Sequence, residues 1–278
     1  MRLVWQLLAV VAVSLVGGQA IMAVADNWAL RLVVGLLASL LAVFVYRWVV
    51  GRTEHRPVVE VARAGAPSAV GRGALIGAVL FGMVMTNLAA SGYYHVDGLD
   101  SVTGAAGLVG FMVAAAVTEE VLYRGLLLRI LERYIGTWLA LVVSGLVFGL
   151  GHLLNPHANL FGSLAIALEA GLMLGAAYVA TRTLWLPIGL HFGWNFAAAG
   201  IFSTEVSGNG TEHGLLDSAL SGPRLPTGGE FGPEASVYSM LFCTLTGVGF
   251  LWMAHRRGNL VSRRRRADQS NADVTLAR

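Results

Sequence analysis

The sequence predicts an all-α membrane protein of about eight helices, and three observations carry that prediction. Only 13% of the 278 residues are charged, against about 25% in an average soluble domain. The missing charge is concentrated: several stretches carry almost none over roughly 20 residues, the length a helix needs to cross a bilayer. Clusters of arginine recur after every second apolar stretch, as the cytoplasmic loops of a multi-pass protein require. Helices follow from the solvent, because every backbone polar group inside lipid must find its partner within the chain.

The apolar segments run near 3–25, 29–50, 71–91, 105–133, 137–154, 160–181, 185–202 and 236–255. The first is longer than a signal-peptide core, and Asp26-Asn27 follows without a cleavage site, so it reads as an uncleaved helix. After the second come Arg47, Arg52, Arg56, Arg63 and Arg72, and at the end of the fourth Arg124, Arg129 and Arg133. Arg182 follows the sixth, and the eighth leads into Arg256, Arg257 and the run Arg263 to Arg266. The alternate connections hold Asp26, then Asp97 and Asp100, then His157, then Glu205, Glu212, Asp217, Glu230 and Glu234. This pattern predicts both termini in the cytoplasm of a cell that inserts the chain in its plasma membrane. The segment Arg56–Arg72, with Pro57 and Pro67, reads as interfacial, and the Gly-, Ser- and Pro-rich connection 203–235 as a flexible extracytoplasmic loop. Three units follow: 1–70 with two helices and the interfacial segment, a helical core at 71–255, and a basic, disordered tail at 256–278. The arginine run beside a membrane helix reads as a lipid-headgroup anchor rather than a nucleic-acid contact.

The 35 glycines suit membrane helices that approach closely. A single cysteine, Cys243, excludes an internal disulfide and a multi-cysteine metal site.

Ionisable groups deep in a membrane helix cost roughly 2.5–3.5 kcal/mol each on insertion scales, so they mark function. Three clusters stand away from helix ends. The first is Glu119-Glu120-Val121-Leu122-Tyr123-Arg124-Gly125. Adjacent residues point about 100° apart on a helix, so the two carboxylates face different surroundings. Glu120 and Arg124, four apart, read as a supporting ion pair, which leaves Glu119 without a cation at i+4. The second cluster ends on His152, four residues after Phe148, and the third is His191-Phe192-Gly193-Trp194-Asn195, whose His191 and Asn195 share one face.

A carboxylate, two imidazoles and an amide on three helices are what water activation needs. The carboxylate takes a proton from water, and the other groups hold the developing oxyanion. Two histidines and a glutamate can also form a catalytic zinc shell. The residues leave both mechanisms open. Helical rise sets a geometric condition. If the fifth helix starts near Trp138, His152 stands about 20 Å above that end, and His191 only about 9 Å above the start of its own helix. The two meet only if helices tilt, break or start at different depths.

Taken in order, the three clusters resemble the signature motifs of the CAAX-protease and bacteriocin-processing (CPBP, or Abi) family: E-E-x-x-x-R at Glu119–Arg124, F-x-x-x-H at Phe148–His152 and H-x-x-x-N at His191–Asn195. The resemblance covers about residues 70–255. It implies eight membrane helices around a conical, water-accessible cavity, and intramembrane endopeptidase activity on a membrane-associated peptide or protein. It implies Glu119 as general base, His152 as a group that holds the water or the oxyanion, and His191 with Asn195 as the oxyanion pair. Glu120 and Arg124 brace the first motif. Family members have been described both as metalloproteases and as glutamic proteases; no cofactor is favoured here, and a single zinc ion is the alternative. The eukaryotic branch cuts prenylated CAAX tails, whereas the Ala-, Val-, Gly- and Arg-rich composition suggests a GC-rich bacterial genome, whose relatives are linked to peptide maturation or self-immunity. Two rival classes remain: a non-catalytic scaffold or immunity protein, and an ion-coupled transporter. The H-E-x-x-H and G-x-G-D motifs of other intramembrane proteases are absent, and Ser144-Gly145 lacks the rest of a rhomboid-like motif.

Overall fold

The computed structural model describes residues 2–262, so the Arg263–Arg266 run and the tail beyond it lie outside the described residues. The elements are α1 (Arg2–Met22), α2 (Trp28–Glu54), α3 (Ala66–Ala90), β1 (Tyr94–Leu99), α4 (Val102–Glu120), α5 (Arg129–Gly151), α6 (Leu160–Ile166), α7 (Met173–Thr181), α8 (Trp185–Asn195), β2 (Leu216–Leu220), α9 (Arg224–Thr227) and α10 (Val237–Arg256). Among the described residues six helices are long and apolar enough to cross a membrane, which marks a multi-pass membrane protein. One of the six runs from Val102 to Leu154, and it folds back at Gly136, whose φ of 78° and ψ of 168° leave the helical region. It therefore contains two of the expected segments.

Local chemistry sets most boundaries. Asn27, Ser101, Asn159 and Ser236 each cap a helix, their side-chain oxygens accepting a backbone N–H three residues on. His55 and Arg182 end α2 and α7 in the left-handed conformation. Three wide π turns interrupt the core helices, at Val121–Leu128, Ala167–Leu172 and Phe196–Ile201.

Three expectations need correction. The fold is mostly helical rather than all-α, because β1 pairs antiparallel with β2. Tyr94-His95-Val96 is a strand-forming run set off by Gly92 and Gly98. The 203–235 connection, read as a flexible loop, is folded. It supplies β2 and α9 and buries Val206, Phe231 and Glu234 beneath the sheet side of the bundle. Its glycines serve tight turns, with positive φ at 208, 210, 222, 228, 229 and 232. The interfacial segment is shorter than read, since α3 already begins at Ala66.

One end of the bundle carries a linked ion network. Glu54 accepts from Arg129 at 2.7 Å and from Arg56 at 2.7 Å, Arg56 also binds Glu60, and Glu132 accepts from Arg182. The acidic connections, with Asp100 and Glu212, sit at the opposite end with the sheet.

Helices α3 and α8 touch backbone to backbone. A Cβ at Gly193 would stand 2.1 Å from the Ala74 carbonyl oxygen, and one at Gly77 2.2 Å from the Leu190 carbonyl oxygen. Backbone cannot swing away as a side chain can. Gly193→Ala is therefore expected to destabilise the fold by about 1–3 kcal/mol, the usual range for overpacking. Gly82→Ala on the same α3, where a Cβ meets nothing within 4 Å, should leave the melting temperature in detergent unchanged. Equal melting of both variants would contradict the packing.

Candidate functional site

All six residues of the three motif clusters gather on the inner ends of four segments: the close of α4, the π turn after it, the C-terminal end of α5 and α8. Glu120 is fully buried. Its Oε1 accepts from Arg124 at 2.7 Å and stands 3.1 Å from Nδ1 of His191. The i,i+4 pair read from the sequence is thus formed, and His191 completes it.

Arg124 is buried as well. Its second guanidinium nitrogen donates to the carbonyls of Ala170 at 2.6 Å and Gly171 at 3.3 Å, and its plane lies 4.5 Å from the Phe148 ring centroid. One arginine thus fastens α4's end to the π turn at Ala167–Leu172 and to α5. A lone buried guanidinium would be costly, and this one has a carboxylate, two carbonyls and a ring face.

Glu119 turns a different way, as the 100° step requires. Its Oε2 stands 3.8 Å from Nε2 of His191, and no protein donor reaches that buried oxygen. So Glu119 does have an imidazole beside it, in place of the cation it lacks at i+4. The imidazole is held at Nδ1 by one glutamate and faces the other with Nε2.

His152 caps α5. Its Nδ1 is 2.8 Å from the Phe148 carbonyl oxygen, so that nitrogen carries the proton and Nε2 is left free. The Phe148 ring lies between the histidines, 4.8 Å from the His152 ring and 6.1 Å from that of His191. Asn195, one turn beyond His191, is buried on the same face.

The depth condition is met by different starting levels. The Leu184 N–H, at the head of α8, donates to the Glu60 carbonyl at 2.8 Å, and the Glu60 carboxylate reaches Arg129 at 3.5 Å. Arg129 lies seven residues, about 10 Å, above the Gly136 fold-back. His191 is then about 21 Å above that level and His152 about 24 Å. The turn Val59–Val61, with Glu60 and Val61 buried, is the pedestal that lifts α8.

Glu119, Tyr123, His152, His191 and Asn195 line one cavity of about 590 Å³. Three more acids line it that the clusters omit, Glu169, Glu212 and Glu234, of which Glu212 is paired with Arg31 at 2.7 Å. Glu169 is legible by the criterion used for Glu119, an acid in mid-segment, though no histidine or asparagine accompanies it. Glu234 sits in a Gly/Pro-rich stretch where periodicity gives no signal. Burial raises the Glu234 carboxyl above its usual range, while bonds from Ser207 and Trp194 hold it down.

A zinc ion fits this donor set poorly. Among the described residues no three His, Cys, Asp or Glu side chains are arranged to hold a metal. Nδ1 of His191 and Oε1 of Glu120 are engaged with each other.

Comparison with protein families matches residues 101–197 to "Rce1-like: Type II CAAX prenyl endopeptidase Rce1-like". The chain carries a domain of this CAAX protease family. The matched segment of the Rce1-like domain opens at the Ser101 cap and closes two residues beyond Asn195, so it contains all three motif clusters. The helices α1 to α3 and the folded 203–235 connection lie outside it. No curated protein and no solved structure matches the chain.

Proposed function

We propose that this CAAX-protease relative is an intramembrane endopeptidase that hydrolyses a peptide bond in a membrane-associated peptide or protein. The observation that carries the reading is Oε2 of Glu119, buried without a donor and 3.8 Å from Nε2 of His191, in a cavity shared with His152 and Asn195. We read that cavity as conical and open to water, within eight membrane-spanning segments. On this reading α8 with its π turn is the seventh and both termini are cytoplasmic, the ion network of Glu54, Arg56 and Arg129 marking the cytoplasmic end. Residues 71–255 then form the catalytic core, with α1 and α2 packed on it.

In the proposed reaction Glu119 takes a proton from water, and the hydroxide oxygen bonds to the scissile carbonyl carbon. His152, with Nε2 free, accepts the water's other hydrogen and fixes its orientation. The carbonyl oxygen becomes the oxyanion. The Asn195 amide and the Nε2–H of His191, protonated on both nitrogens, donate to it. With that protonation, Glu119, Glu120, Arg124 and His191 sum to zero charge, which suits a low-dielectric site. Collapse breaks the C–N bond, and Glu119 returns its proton to the leaving amine. Glu120 acts one step back, holding the imidazole as the carboxylate of a hydrolase triad does.

The test compares membrane peptides from cells carrying the wild type, His191→Ala or no protein. The proposal expects cleavage products that require the wild type and vanish with a folded His191→Ala protein. Products unchanged by that variant would contradict it, and ion-coupled flux in liposomes without peptide cleavage would favour a transporter.

A further inference from the structure

The mechanism leaves three of the cavity's acids unused, and only Glu212 among them has an arginine partner, Arg31. Glu169 is only 3% exposed, its Oε1 has no donor, and among the described residues it makes no ion pair. A structural acid at mid-segment would brace a neighbour, as Glu120 braces Arg124, and Glu169 braces nothing. Glu234 lines the same cavity. It is fixed there by three donors, the Trp194 indole N–H at 2.8 Å, the Ser207 hydroxyl at 2.8 Å and the Ser207 backbone N–H. All three donate, so the carboxylate form is the one they satisfy.

The charges of the cavity do not balance around this pair. Arg124 answers Glu120, and Arg31 at the rim answers Glu212. Among the described residues no arginine pairs with Glu169 or Glu234, and the one basic side chain whose charge reaches Glu234 is the His152 imidazole. Cys243 lines the same cavity as both acids. Two buried acids facing one space without a cation are a poor arrangement for a resting protein and a good one for a guest that brings the charge. The position also suits a substrate subsite. Glu169 directly precedes Ala170, whose carbonyl binds Arg124, so it stands next to the proposed catalytic cluster.

We propose that Glu169, with Glu234 behind it, is a specificity subsite that receives the cationic side chain of a lysine or arginine near the scissile bond. The inference rests on the endopeptidase reading and narrows its substrate to peptides with a basic residue at one fixed position.

The test digests a peptide library from a bacterial membrane proteome with the full-length protein in lipid nanodiscs, reading cleavage sites by mass spectrometry. A duplicate library has its lysines acetylated. Wild type is expected to favour Lys or Arg over Gln at one position by about tenfold, as a charge-assisted bond allows. Acetylation should remove the lysine sites and spare the arginine sites. In Glu169→Gln the basic-to-Gln ratio should fall close to one. Cleavage without a basic preference, or a preference unchanged in a folded Glu169→Gln protein, would overturn the subsite and leave the protease reading standing. If Glu169→Gln does not fold, the acetylated library on wild type decides alone. If nothing is cleaved, the protease reading fails, and calorimetric titration with agmatine, which presents an arginine-like guanidinium, decides the subsite. Binding by wild type and Glu119→Gln that weakens about tenfold in Glu169→Gln supports it, and no binding, or equal binding, overturns it.

Discussion

Glu119→Gln is expected to lower the rate of peptide cleavage by about 10²–10⁴-fold, the usual contribution of a positioned general base, without lowering thermal stability. The two halves of that result have one cause. Oε2 of Glu119 is buried with no donor, so an amide loses no hydrogen bond there, and His191 can release its second proton so that the cluster stays at zero net charge. An amide keeps the shape and removes the charge. Melting in detergent should be at or slightly above the wild-type temperature, as for a residue kept for function at the expense of stability. A folded variant with normal cleavage would remove the proposed mechanism. A variant that unfolds would mean that Glu119 is a brace.

Its neighbour is expected to behave in the opposite way. Glu120→Ala leaves the Arg124 guanidinium buried beside Phe148 and takes the Nδ1 partner from His191. Removing one member of a buried pair costs about 3–5 kcal/mol, so the melting temperature should fall steeply. Replacing both members with apolar residues, Glu120→Leu with Arg124→Met, removes the stranded charge. Such exchanges are often close to neutral, so the double variant should melt well above Glu120→Ala. Activity should not return, because the imidazole remains unanchored. A double variant as unstable as the single would mean that Arg124 acts through its bonds to Ala170 and Gly171 more than through the pair.

The helical segments were readable because the lipid imposes them. Length, apolar runs and the arginine alternation reproduce α1, α2, α3, the two arms folded at Gly136, the Leu160–Thr181 helix, α8 with its π turn, and α10, within a few residues at most ends. The Glu120–Arg124 pair was readable because it is local, four residues on one helix. Contacts between distant segments were not. The approach of His191 to Glu119 depends on a pedestal at Val59–Val61 that lifts α8 through the Leu184–Glu60 bond, and no local pattern encodes that height. The β1–β2 pairing and the burial of Phe231 and Glu234 depend on where a Gly/Pro-rich stretch returns, which periodicity cannot register. The three π turns follow or contain Glu119, Glu169 and Asn195 in the way such turns cluster at working sites, and composition gives no sign of them.

Everything proposed requires water at Glu119 inside the bilayer, and thiol labelling reads that directly. Cys243 is the sole cysteine, so Cys243→Ser gives a clean background into which Glu119→Cys, or Leu75→Cys on the exposed apolar face of α3, is introduced. In proteoliposomes a charged, membrane-impermeant methanethiosulfonate should modify position 119 and leave position 75 untouched. A folded protein whose residue 119 resists the reagent as completely as residue 75 would contradict the account, since a dry carboxylate has no water to activate.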